Sequence, residues 1–202
     1  MAKDSPWEYH PDLTEERLCF VASLIVDGRH SALERYDEAA GDNTWINGCR
    51  AFQFGRHRIL NAIDSGEHPW LKAIDRTLQL IFKIGEVPVR IYKGLADEPT
   101  DRTLRQSFGE LKQLSMLVSA ADDGRDLAYR FAVETDFDGS VIAVNFVGLS
   151  GENAILNWAV PFDSTLGFTG SLGREASESI ELDAPSVGIR TDRKQDTGHS
   201  GS

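Results

Sequence analysis

The chain has 202 residues, 41% hydrophobic, 26% charged and 9% aromatic, a balance that excludes a wholly disordered or fibrous protein and allows a sizeable core. Lys and Arg number 21 against 32 Asp and Glu, and a formal charge of -11 lacks the basic footprint of a chain that holds nucleic acid by counterion release. The opening MAKDSPWEYHPDLTEE carries acids and no apolar run, and the richest apolar stretches, 18–26 and 78–89, are short or broken by charge. A soluble, cytoplasmic protein without membrane contact is expected. Cys19 and Cys49 form no CxxC pair, so neither a disulfide framework nor a zinc ribbon is written here, and buried free thiols are expected.

From Asp12 the chain reads as a helix, with Asp12 as N-cap and Glu15 completing a capping-box-like start. Leu18, Val21, Ala22, Ile25, Ala32, Leu33 and Tyr36 follow at the 3.6 period, with Gly28 as a point of interruption. The GDNT cluster at 41–44 marks a turn. A second helix, capped by Thr44, then carries Trp45, Cys49, Phe52, Ile59, Leu60 and Ile63 toward the core and ends near Gly66. Pro69, with Trp70, Leu71 and Ile74 one turn apart, predicts a short helical turn.

A hairpin is the clearest local inference. Leu78, Leu80, Phe82 and Ile84 alternate before Gly85-Glu86, and Val87, Val89 and Ile91 alternate after it, as a two-residue type II′ loop requires. Residue 84 then faces 87, 82 faces 89 and 80 faces 91, so all apolar partners share one side. The other side, with Gln79, Ile81, Lys83, Pro88, Arg90 and Tyr92, reads as exposed or partner-covered, and Pro88 predicts an edge strand. Residues 101–120 are amphipathic and predict a third long helix. Strands at 129–135, 141–149 and 155–162, separated by DFDG and SGEN turns, predict an antiparallel meander with its middle strand central. Beyond Phe168 no aromatic occurs, and residues 173–202, with six acids against four bases, predict a disordered tail.

The expected fold is α+β: two N-terminal helices, a β-hairpin, a third helix and a three-stranded antiparallel meander in one domain, 1–172, with one sheet of about five strands.

Candidate sites are few. Glu134, Asp136 and Asp138 before Gly139 copy half of a calcium loop, but position twelve is Asn145, so an Asp-Gly hairpin turn is the stronger reading. The window 43–63 holds no acid and carries Arg50, Arg56, His57 and Arg58 among Trp45, Phe52 and Phe54, a basic and aromatic helix that could contact a partner. Arg56 falls on its apolar face and therefore needs either a structural partner or an anionic ligand. Five histidines show no HxxxH or HExxH spacing, and no metal or cofactor is expected. His57, His68 and Glu86 are the acid–base candidates if the chain is a hydrolase or transferase. Glu86, Arg90 and Tyr92 project to one side of the hairpin and form a second candidate binding face. The leading expectation is a non-enzymatic interaction or regulatory protein that binds another protein through Arg50, Arg56 and Arg58 and the Glu86, Arg90, Tyr92 face. Nucleic acid is not favoured. The alternatives are an enzyme with a His/Glu/Arg site and a small-ligand pocket between sheet and helices.

Overall fold

The computed structural model describes residues 5–100, 127–151 and 153–161, all within the compact unit Met1–Thr169. One 3₁₀ turn, Pro6–Glu8, precedes α1 (Glu15–Leu33) and α2 (Thr44–Asp64). Six strands follow: β1 (Leu71–Asp75), β2 (Ile81–Ile84), β3 (Val87–Lys93), β4 (Ala128–Thr135), β5 (Val141–Ser150) and β6 (Asn153–Ala159). They form one mixed sheet in chain order, antiparallel except for the parallel β3–β4 ladder. The class is α+β, and the two helices, the hairpin and the C-terminal meander stand where periodicity places them. The third helix expected over 101–120 and the tail expected over 173–202 lie outside the described residues.

Helix α1 starts two residues later than expected. Thr14, not Asp12, is the N-cap, accepting from the Arg17 amide at 3.4 Å, which frees the Asp12 carboxylate for the hairpin. Asn43 caps α2 by accepting from the Ile46 amide at 3.0 Å, one residue before the Thr44 expected for that role. Gly28 does not interrupt α1; it lets α1 and α2 cross in near contact, since a β-carbon there would lie 2.4 Å from the Gly55 amide nitrogen. The buried stripe of α2 is accordingly Asn47, Ala51, Gly55 and Ile59, spaced by four, with Leu60 beside it. The apolar face expected from Trp45 and Cys49 is corrected by this crossing: both residues are exposed, Trp45 at 74%. Small side chains win the contact because only they allow the helix backbones to approach.

The segment after Pro69 is a strand, not a helical turn. Leu71 pairs with Ile84 and Ala73 with Phe82, and Leu71 is buried against the core. A single helical turn offers less than a ladder to β2, because a short isolated helix does not repay its nucleation. The hairpin register is the predicted one, Ile84↔Val87 and Phe82↔Val89, and a positive φ of 60° at Gly85 alone fits the type II′ turn. The Leu80–Ile91 pair does not form, because β2 begins at Ile81 and Leu80 turns with φ 33°. Nor is β3 an edge: it lies between β2 and β4, and Pro88 is accommodated because the parallel ladder begins only at Val89.

One sheet face packs on the helices. Phe82, Phe131, Phe146, Val87 and Val89 join Leu18, Val21, Ile25 and Ile59 in the main core, with Phe131 edge-on to Phe146 at 5.0 Å. The opposite face, expected to be exposed or partner-covered at the hairpin, carries a second apolar cluster of Ala96, Ala128, Ala132, Val147 and Leu149, with Tyr92 against it. Ile81 and Pro88 are buried as well.

Candidate functional site

The basic residues of α2 are engaged within the chain. Arg50 forms a two-pronged ion pair with Asp42, at 2.8 and 2.9 Å, and also donates to the Arg35 carbonyl, holding Asp42 below the usual carboxylate range. Arg56 donates to the carbonyls of Thr77 and Arg76 beyond β1, so its need for a partner is met by backbone oxygens rather than a carboxylate. Arg58 donates to Ser31 Oγ at 2.8 Å. Trp45 is the one large hydrophobic side chain of that window that stands in solvent.

On the hairpin, Lys83 pairs with Glu86 at 2.8 Å, and the Glu86 amide donates to the Asp12 carboxylate at 3.0 Å. Asp12 also accepts from Arg17 at 2.9 Å, and a side chain at residue 85 would collide with it. Burial pushes Asp12 up, but the Arg17 donor, the Glu86 amide and nearby His10 outweigh it and hold Asp12 low. This latch ties the N-terminal segment to the hairpin tip. Arg90 is the register neighbour of Arg130 across the parallel ladder, and Arg130, 1% exposed, donates to the Tyr129 carbonyl. Tyr92 donates to the Leu95 carbonyl, and burial, with Glu134 nearby, pushes its hydroxyl up to about 12.

The acid–base candidates are not gathered into one pocket. An open cleft of ≈ 360 Å³ is lined by Phe20, Leu24, Arg58, Asn61, Glu67 and His68, but by neither His57 nor Glu86. His68 packs tilted against both Phe20, at 4.1 Å, and Trp70, at 5.5 Å, while His57 contacts Asn61 on an exposed side of α2. The half calcium loop is split in the same way. Glu134 accepts from the Ala96 amide and from Asn145, whereas Asp136 accepts from the Phe137 amide and Asp138 from the Ser140 amide and hydroxyl. Among the described residues no group of His, Cys, Asp or Glu is placed to hold a metal ion.

The turn built by those two aspartates is an exposed feature with a fixed backbone. Asp136 accepts through its carbonyl from Gly139 and donates through its amide to Ser140, a three-residue loop closed by Gly139 at φ 92°. Arg29, 7% exposed on α1, reaches across to donate from Nε to the Gly139 carbonyl at 2.5 Å, and Asn47 and Leu33 close on Gly139 from behind. Burial lowers the Arg29 guanidinium, and burial together with Arg29 lowers Lys93. In this braced turn stands Phe137, 91% exposed; Ile142, just beyond the turn in β5, is 61% exposed, and Trp45, two residues before the Asn47 that packs on Gly139, is exposed as well. In the sequence Phe137 reads as part of the DFDG turn chemistry. The signal was an aromatic side chain in a loop whose other members are all turn formers.

The arrangement defines an α+β domain with a six-stranded mixed sheet and two helices on one face. No family model matches the chain, and no curated protein or solved structure matches it either. No helix among the described residues is long and apolar enough to cross a membrane.

Proposed function

We propose that this chain is a non-enzymatic interaction protein that engages another protein through the Phe137 turn, with the exposed Trp45 of α2 as a second apolar contact. One observation carries the reading: a 91% exposed phenylalanine sits on a turn whose polar groups are spent on fixing its backbone. A single exposed apolar residue is ordinary, but an aromatic on a backbone that is already fixed leaves only its two side-chain torsions to be ordered on entering a partner's pocket. Aromatic anchors of this kind carry much of the energy of protein interfaces. Asp136 and Asp138 flank the anchor, so the matching pocket is apolar with a basic rim.

The Arg50, Arg56 and Arg58 helix and the Glu86, Arg90, Tyr92 face form the competing surface, and one experiment separates the two. Wild type, Phe137→Ala/Trp45→Ala and an Arg50/Arg56/Arg58 charge-reversal variant, each verified by circular dichroism, are compared in affinity capture with and without nuclease and liposomes. A protein held by wild type and the charge-reversal variant but lost from the aromatic variant supports the Phe137 surface. Loss on charge reversal alone assigns binding to the α2 helix. A ligand removed by nuclease, or retention on liposomes alone, overturns a protein partner.

A further inference from the structure

A cation withdrawn from water needs a counter-charge. On α1, Arg29 is 7% exposed, and its hydrogen bond among the described residues runs from Nε to the Gly139 carbonyl, a neutral acceptor that leaves both terminal nitrogens of the guanidinium without one. No carboxylate of the described residues pairs with it, although acids outnumber bases by 32 to 21 in the chain and Arg17, Arg50 and Arg76 each hold one. The Asp136 and Asp138 carboxylates, on the same turn as Gly139, are bent back onto the Phe137 and Ser140 amides and the Ser140 hydroxyl.

A second cation lies close by. Lys93 ends β3 and is exposed; strand alternation puts it on the sheet face of Val89 and Ile91, where α1 packs. Burial, and then the nearby Arg29, push the Lys93 amine down, and burial pushes Arg29 down as well. A carboxylate within reach would push either one up.

Asn47 of α2 completes the group. It is 5% exposed, and its Oδ1 is buried with no hydrogen-bond partner among the described residues. The amide reaches the same place as the guanidinium, since a β-carbon on Gly139 would lie 3.1 Å from Asn47 Nδ2 and 3.5 Å from Arg29 Nη2. Gly139, at φ 92°, sets no side chain between them. Two cations, an amide donor and a buried acceptor thus meet behind one braced turn, carried there by α1, α2 and β3.

We infer that Arg29, Lys93 and Asn47 form a binding site for the hydrogen phosphate ion. The guanidinium offers its terminal N–H groups to two phosphate oxygens, and the Lys93 ammonium adds charge from the solvent side. Asn47 selects among oxyanions. Its Nδ2 donates like the cations, but its Oδ1 needs a donor, which hydrogen phosphate carries at neutral pH and an ionised carboxylate or a sulfate does not. The dianion of a phosphate monoester lacks that proton too.

Isothermal titration of the full chain with inorganic phosphate at pH 7.5, at an ionic strength held constant with sodium chloride, tests the site. Saturable one-to-one binding is expected, with sulfate and methyl phosphate at least about tenfold weaker because each leaves Asn47 Oδ1 facing another acceptor. Lys93→Gln, at an exposed position, should weaken phosphate about tenfold without lowering the melting temperature. Asn47→Asp sets a carboxylate of the same shape beside Arg29; it should abolish binding and leave the chain at least as stable, because the guanidinium then has its counter-charge. Absence of saturable binding by wild type overturns the inference, as does binding indifferent to both substitutions. Sulfate or methyl phosphate bound as tightly as phosphate overturns it as well, and so does a destabilised Asn47→Asp chain, in which the new carboxylate and Arg29 would not share a site.

Discussion

Replacing Gly28 by alanine drives a methyl group into the tightest point of the α1–α2 crossing. The new β-carbon would lie 2.4 Å from the Gly55 nitrogen, 2.6 Å from its α-carbon and 2.9 Å from the Phe54 carbonyl carbon. All three are backbone atoms and cannot rotate away, so one helix must move. Overpacking of a core costs about 1–3 kcal/mol, and a backbone obstacle puts this site at the upper end. Helix propensity returns about 1 kcal/mol for Gly to Ala, which leaves a net loss of about 2 kcal/mol. Gly55→Ala is the control, because its β-carbon would meet nothing nearer than the Ile25 α-carbon at 3.7 Å. It should keep the propensity gain and stabilise by up to about 1 kcal/mol. Urea unfolding of the two variants reads the contrast of about 3 kcal/mol as midpoints displaced to opposite sides of wild type. Equal midpoints, or a Gly28→Ala variant at least as stable as wild type, would refute the assigned crossing.

Two further predictions concern titration. His10 accepts from the Asp12 amide through Nδ1, and burial lowers its pKa below the ordinary 6.5 despite the pull of Asp12 and Glu86. The unfolded chain therefore takes up the proton first, and stability present above 6.5 is lost as the pH falls toward the folded value; the lowered Asp12 adds a second loss below 3.8. Thermal melts from pH 8 to 5 should show the first decline, and His10→Gln should flatten it; an unflattened decline would remove His10 as its cause. Separately, burial pushes both Tyr92 and Tyr129 up to about 12, so a spectrophotometric titration should show two of the four tyrosines ionising well after the ordinary 10.0. Full ionisation by that pH in a chain still folded by circular dichroism would contradict their placement.

The parts legible in the sequence are those whose structure is local. Gly85-Glu86 sets the hairpin register because two alternating runs meet at a turn with one allowed geometry, and the meander follows from three such runs with turn signals between them. Elsewhere the deciding contacts are distant. Leu71 and Ile74 mimic a helical turn, and only pairing with β2 makes the segment a strand. The buried stripe of α2 is invisible to hydrophobicity because Asn47 and Gly55 are chosen for what α1 and the Gly139 turn bring against them. For the candidate site, the window 43–63 shows the arginines but not Asp42, Thr77 or Ser31, the groups that engage them. Phe137 looks like a turn residue until its exposure and its brace by Arg29 are known.

The parallel β3–β4 ladder, Val89–Lys93 against Tyr129–Val133, has a consequence for how the sheet assembles. Every other neighbouring pair closes across a turn of five residues or fewer, whereas this one closes across residues 94–127. The sheet is two sequence-local runs, β1–β3 and β4–β6, stitched by a single distant seam. The loop-closure entropy of the sheet is concentrated at that seam, so the lengths of the short turns matter little to the speed of folding and the span of this one connection matters most. Until the seam forms, β3 and β4 each present a bare hydrogen-bonding edge, and the two halves of the sheet are templates for one another.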